Sequence, residues 1–176
     1  MLRIATRFAS PRFLRPAAAS TPAFASPIRF GSLRAYSNAL RADAEPLTHS
    51  ASPIVKYTDN HEWIAAHDDG VAFIGITKYA ADALGDATFV EVNDVPADVE
   101  VGDSLGSVES VKSASDVYAP VSGKLVERNE ELIANPALLN EDPSGNAWLA
   151  KIEIAEAGEL EDLLTLEQYQ DSLEDH

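Results

Sequence analysis

The chain has 176 residues, enough for one domain with its own core and a tail, and its formal net charge is −16. It has no cysteine, which removes disulfides, thiolate metal sites and thiol nucleophiles together. Residues 1–36 carry six arginines and no acid (+6), while residues 37–176 carry seven basic residues against 29 acids (−22). So acidic a body would be repelled by nucleic acid phosphates and suits partners with basic docking faces.

The leading segment 1–36 is rich in Arg, Ala and Ser and broken by Pro11, Pro16, Pro22 and Pro27, the composition of an organelle transit peptide rather than a secretory signal. In "MLRIATRF", Arg3 and Arg7 lie one helical turn apart beside Leu2, Ile4 and Phe8, as in a short presequence helix. "LRAYSN" resembles a mitochondrial processing site, which places cleavage near Tyr36/Ser37 and the protein in the mitochondrial matrix. No window is apolar for long enough to span a bilayer, so no membrane insertion is expected.

Residues 37–54 read as a polar linker, and residues 55–176 as the folded domain. Within it, the β-prone runs 62–66 and 71–76 flank the turn "HDDG" and predict a hairpin. "TKYAADALGD" predicts a short helix with Thr77 as N-cap and Gly85 ending it. A strand over 87–92 follows, then a turn-rich connection, "NDVPADVEVGD". Two strand-like runs, "SLGSVESV" and "DVYAPVSGKLVER", flank Lys112, with Gly102 ten residues before it and Gly123 eleven after, a hairpin centred on "KSAS". Pro120 in its second arm points to an edge or a bulge. "NPALLN" predicts a helical turn with Asn135 as N-cap and Pro136 first in the helix, and 147–154 a last strand. Leu160, Leu163 and Leu164, then Leu166, Tyr169 and Leu173, predict one or two amphipathic helices with Thr165 as N-cap or break. The class is a small antiparallel, mainly β fold with peripheral helices.

Catalytic signals are sparse. His61 has no second histidine at i+4, and His67 is six residues away, so no zinc motif is formed; His49 lies in the linker and His176 at the end. There is no nucleophile elbow, phosphate loop or dinucleotide fingerprint. Lys112 is therefore the residue of interest. A lysine on a hairpin tip is usually a solvated charge, but its uncharged flanks Ser110, Val111, Ser113 and Ala114 leave room for an enzyme to reach the amine, and a four-carbon stem suits a tethered group.

"GDSLGSVESVKSASDVYAPVSG" (102–123) resembles the lipoyl-attachment motif of the glycine cleavage system H proteins, in which the lysine of E-S-V-K carries lipoate. "YTDNHEW" (57–63), "IGITKYAADALGD" (74–86), "NPALLNEDPSGNAWLAKI" (135–152) and the Leu-rich acidic C-terminus resemble segments of the same family in the same order, covering about residues 55 to 175. Biotin carriers favour Met-Lys-Met and acyltransferase lipoyl domains Asp-Lys-Ala at this position. Departures are "VND" (92–94) where a Leu-Pro pair is usual, "SGNAW" near Pro143, and Ala83 where some members have His.

The resemblance implies a lipoyl/biotinyl-type antiparallel barrel-sandwich hybrid with short peripheral helices and a C-terminal helical segment. It implies a non-catalytic, monomeric carrier whose Lys112 is amide-linked to lipoate. Its partners would be a pyridoxal-phosphate glycine decarboxylase, a tetrahydrofolate-dependent aminomethyltransferase, the FAD enzyme dihydrolipoyl dehydrogenase and a lipoylating enzyme. Glu62 and Asp116 are the candidate acids for the cleft that shelters the loaded arm, with a strand-end hydrogen bond and a solvated charge as their alternative roles. Glu109 and Gly123 match motif positions used in recognition by the lipoylating enzyme and in turn geometry. Competing readings are a lipoyl domain protein serving 2-oxo acid dehydrogenase complexes or a lipoate relay, a β-sheet scaffold with an unmodified hairpin, and a small acid/base hydrolase using Glu62 or His61.

Overall fold

In the computed structural model, residues 37–174 are described; residues 1–36, read from sequence as a transit peptide, and residues 175–176, with His176, lie outside them. Among the described residues, nine strands form two antiparallel sheets. The larger runs β1 (Ile54–Tyr57), β2 (Glu62–Ala66), β3 (Val71–Ile76), β9 (Ala150–Ile154), β8 (Gly123–Arg128), β5 (Ala97–Val99). The smaller runs β4 (Ala87–Val92), β6 (Ser104–Ser110), β7 (Ala114–Tyr118).

β2 and β3 are buried along nearly their whole length because the larger sheet is covered on both faces. Alternate residues serve two cores. Ile64, Ala66, Ala72, Ile74 and Ile76 pack with Val90, Leu105, Val108 and Val117 of the smaller sheet. Trp63, Ala65 and Phe73 face the other way and pack with Tyr57, Trp148 and Tyr169. Trp63 is anchored by its indole N–H, which donates to the carbonyls of Ile76 (2.9 Å) and Pro143 (3.1 Å).

The second core is closed by the first and last segments of the described residues. Segment 37–54, read from sequence as a linker, is packed up to the start of β1: Asn38 and Ala44 are fully buried, and α1 (Glu45–Thr48) lies within it. Asn38 takes the Tyr57 hydroxyl on its carbonyl (2.9 Å) and the Tyr79 N–H on its side chain (3.1 Å). Leu40 and Leu47 cover the aromatic cluster, which is why a stretch of polar appearance is ordered. At the other end, a 3-10 turn (Ala157–Asp162) precedes α5 (Leu166–Glu174). Thr165 caps α5, its hydroxyl accepting from Gln168 N–H (3.3 Å) while Gln168 Oε1 accepts from Thr165 N–H (2.8 Å).

α2 (Lys78–Leu84) begins at Thr77, whose hydroxyl accepts from Ala80 N–H, and ends at Gly85. Elsewhere the structure corrects the sequence reading. The run after Lys112 is two strands in different sheets, joined by a corner at 119–122 that holds Pro120. The next helix is α3 (Glu130–Ala134), capped by Asn129, with Asn135 at its C-terminal end; α4 (Leu138–Glu141) has no side-chain cap. The α3 start is favoured by the Asn129 side chain, which accepts from Leu132 N–H, and by the acids Glu130 and Glu131 in its first turn, while the helical turn expected over "NPALLN" is α4. The last strand begins at Ala150 rather than Ala147, and β1 and β5 were not anticipated.

Candidate functional site

The β6–β7 hairpin presents Lys112. Pairing holds up to Glu109↔Ala114, and the connection is Ser110 to Ser113, so the turn centres on Val111–Lys112 rather than on "KSAS". Ser110 N–H donates to Ser113 O (2.8 Å), and the Ser110 hydroxyl accepts from both Lys112 N–H (3.1 Å) and Ser113 N–H (3.1 Å). One short side chain thus satisfies two backbone donors of the turn. No residue of the turn is left-handed, so it needs no glycine. Val111 at its apex is 86% exposed.

The lysine stem passes over the end of α2. A Cβ built on Gly85 would stand 3.1 Å from both Cε and Nζ of Lys112. Gly85 also has φ 85° and ψ −160°, a conformation open essentially to glycine alone. Asn140 of α4 fixes this loop, its amide donating to Gly85 O (2.8 Å) and accepting from Ala87 N–H (2.8 Å). The floor under the lysine is therefore set by a helix end and a clamp from 55 residues away.

Beside the turn lies a cleft of about 310 Å³, bounded by Asn60–Glu62, the Ala80–Leu84 face of α2 and the edge strand β7. Glu62 lines it and is 2% exposed. One carboxylate oxygen accepts from Tyr118 N–H (3.1 Å) on β7, and the other accepts the Thr58 hydroxyl. Thr58 Oγ1 in turn accepts from Glu62 N–H (3.0 Å). The strand-end role weighed for Glu62 is thus present, and it links the two sheets at the cleft.

Asp116 also borders the cleft, but opposite it in the ladder is Ser107, and opposite Ser107 is Glu91. Directly paired residues share a face, so Asp116 belongs to the outer side of the small sheet, while the alternate residue Ser115 shares the inner side with Val108. Asp116 is a rim residue. Glu109 is exposed on the same outer side, paired with Phe89 and Ala114. Gly123 is distant in topology: it opens β8 between Val99 and Ile154, and a Cβ there would collide with the Glu153 carbonyl oxygen. Its positive-φ counterpart is Gly102, at φ 86°.

His61, which completes no zinc motif in the sequence and was otherwise weighed only as a hydrolase alternative, is a cleft residue. It has φ 73°, the one left-handed non-glycine among the described residues. Its Nδ1 and Thr77 Oγ1 both hydrogen-bond the Tyr169 hydroxyl (2.8 and 2.9 Å), whose pKa burial pushes up to about 12. α5 thus reaches through to the cleft wall, a link no local pattern could reveal. The other described histidines are structural: His67 is buried, with Nδ1 on the Ser50 hydroxyl (2.7 Å) and Nε2 on Pro46 O (3.1 Å), and His49 pairs with Asp69 (3.0 Å). Among the described residues no His/Asp/Glu cluster is arranged to hold a metal ion.

A family description, glycine cleavage H-protein, matches residues 55–176. The mitochondrial glycine cleavage system H protein of Saccharomyces cerevisiae is 49% identical over 141 residues, 77% of this chain and 83% of that one. The glycine cleavage system H protein of Carboxydothermus hydrogenoformans is 51% identical over 121 residues, 69% of this chain and 92% of its own. The crystal structure of the H protein from Mycobacterium marinum superposes with a TM-score of 0.63 at 39% identity, covering 68% of this chain and 96% of that one.

Proposed function

The chain belongs to the glycine cleavage H-protein family and is a non-catalytic lipoyl carrier of the glycine cleavage system, and from that premise we propose that Lys112 is the residue that carries the lipoyl group. The observation that supports this most directly is geometric: Lys112 sits on an exposed, serine-stapled turn next to a cleft that holds a buried carboxylate. When bound, lipoate supplies the dithiolane sulfur that a chain without cysteine lacks.

The residues present fit such a group. The turn leaves the amine accessible, and Gly85 leaves the lysine stem free to lie along the cleft mouth. Glu62 and Asp116 give the cleft a negative wall and rim, which favours a cationic amine over a neutral or anionic group. Ala83 lines the same cleft, so at that helix position this protein offers a methyl rather than an imidazole. Glu109, exposed one residue before the turn, is placed to be read by the lipoylating enzyme. Gly123 serves the framework by letting β8 approach β9 closely.

The partners in this reading are the pyridoxal-phosphate glycine decarboxylase, the tetrahydrofolate-dependent aminomethyltransferase, the FAD enzyme dihydrolipoyl dehydrogenase and the lipoylating enzyme. The Arg-rich, acid-free 1–36 and the mitochondrial yeast relative support a transit peptide and a matrix location. The test is intact mass of protein made in a lipoylation-competent host. One lipoyl amide is expected on the native chain and none on Lys112→Arg; an unmodified native chain, or an adduct that survives Lys112→Arg, overturns the assignment.

A further inference from the structure

Residues on the outer side of the small sheet form two rows across its three strands. Phe89 stands opposite Glu109, which stands opposite Ala114; Glu91 stands opposite Ser107, which stands opposite Asp116. Paired residues lie side by side on one face. Phe89 is 48% exposed, and Val111 stands at the apex of the adjoining turn. Strands β4, β6 and β7 contain three acids and no lysine or arginine, so Lys112 is the sole cation of this sheet and its turn.

An exposed aromatic ringed by acids is the complement of an apolar pocket edged with Arg or Lys. We infer that this face, with Phe89 as its anchor and Glu91 on its rim, is the docking surface for the enzyme that acylates Lys112. The inference rests on Lys112 being the lipoylated residue and adds a recognition element outside the linear motif, about 20 residues upstream of Lys112.

Reach selects this enzyme among the partners. Acyl transfer from an activated lipoyl donor, an acyl adenylate or acyl thioester, occurs at Nζ itself. The neutral amine nitrogen bonds to the carbonyl carbon, the bond from that carbon to the leaving oxygen or sulfur breaks, and the amine proton passes to solvent. The acylating surface must therefore close around the turn, and the first row beyond the turn is Phe89–Glu109. Enzymes that act on the far end of the arm meet a group displaced by the full lysine and acyl stems, and have no need to cover this face. Acylation also removes the sheet's one cation, so the product face is more acidic than the substrate face.

The experiment measures lipoyl amide formation by intact mass, using the full unmodified chain, a purified lipoate-attaching enzyme, lipoate and ATP. Phe89→Ala should lower kcat/KM about tenfold or more through KM, as removal of an interface anchor does. Glu91→Lys should lower it and flatten its dependence on salt. Asp98→Asn, exposed on the other sheet, should behave as native. Phe89→Leu and matched melting curves guard against a folding defect in Phe89→Ala. Fully lipoylated Phe89→Ala should be reduced by dihydrolipoyl dehydrogenase at the native rate. Native kcat/KM in both Phe89→Ala and Glu91→Lys overturns the inference and leaves the Lys112 assignment standing. Normal acylation with impaired reduction also overturns it, by placing the face with a downstream enzyme. A native chain that accepts no lipoyl group overturns both.

Discussion

Gly123→Ala separates a recognition role from a framework role for a residue that the attachment motif itself singles out. Gly123 pairs with Val99 on one side and Ile154 on the other, and an added methyl would meet the Glu153 carbonyl oxygen and approach the side chain of Ile152 to 3.0 Å. The backbone oxygen cannot swing aside as a side-chain terminus can, so β8 must move off β9. Overpacking typically costs about 1–3 kcal/mol, and collision with backbone places this site at the top of that range, about 3 kcal/mol. For a domain of this size each kcal/mol lowers the melting temperature by roughly 3–5 °C, so a fall on the order of 10 °C is expected. The assay is thermal unfolding of the unmodified protein followed by far-UV circular dichroism, paired with lipoylation well below the new midpoint. Lipoylation there should be close to native, because the hairpin belongs to the other sheet. A native melting temperature with abolished lipoylation would refute the packing argument and make Gly123 a recognition residue.

Three further expectations concern the turn, the cleft wall and the packed N-terminal segment. Ser110→Ala strips the acceptor from two backbone N–H groups in an exposed turn, so amide exchange at Lys112 and Ser113 should accelerate while global stability falls by only about 1 kcal/mol; unchanged exchange would show the hydroxyl does not order the turn. Tyr169→Phe removes the hydroxyl shared by His61 and Thr77 at a fully buried site, costing about 1–3 kcal/mol in chemical denaturation; a loss near zero would show that α5 does not brace the cleft. Burial and then the neighbouring His49 hold the His67 pKa below its ordinary value. Neutral His67 therefore contributes stability that is present above about pH 6.5 and lost as the pH falls below that toward its lowered folded value. Melting temperature should drop through that window, and His67→Gln should flatten the dependence; a profile equally steep in His67→Gln would dismiss the link.

Much of the fold was legible where the signal was local. The β2–β3 hairpin and α2 were anticipated to the residue because Thr77, Gly85 and the "HDDG" turn are short-range punctuation. β1 and β5, of four and three residues, carry no period and exist through their partners β2 and β8. The helical turn read in "NPALLN" is α4, but it begins at Leu138 with no side-chain cap rather than at Asn135 and Pro136, and α3, capped by Asn129, was not anticipated. Likewise, the packed segment 37–53 reads as polar because few of its side chains, Leu40 and Leu47 among them, do the covering.

The site shows the same division. The motif singled out Lys112, and Glu62, one of the two candidate acids, lines the cleft beside the turn that carries it. Asp116, the other candidate acid, borders the same cleft from the outer side of the small sheet, a placement set by the register of the β6–β7 ladder. The contribution of Gly85 beneath the lysine and of Tyr169 behind His61 depends on contacts 27 and 108 residues apart in sequence, which no linear pattern encodes.

The docking of Asn38 also limits what a protease can reach at this end of the domain. A protease accommodates its substrate as extended chain on both sides of the bond it cuts, and acts on the open population of a fold. Residue 38, two positions beyond Tyr36, is buried and tied by two hydrogen bonds once the domain has closed. On the proposed transit-peptide reading, a cut near Tyr36/Ser37 would therefore have to come before segment 37–53 docks, because the closed fold withdraws residue 38 from a protease.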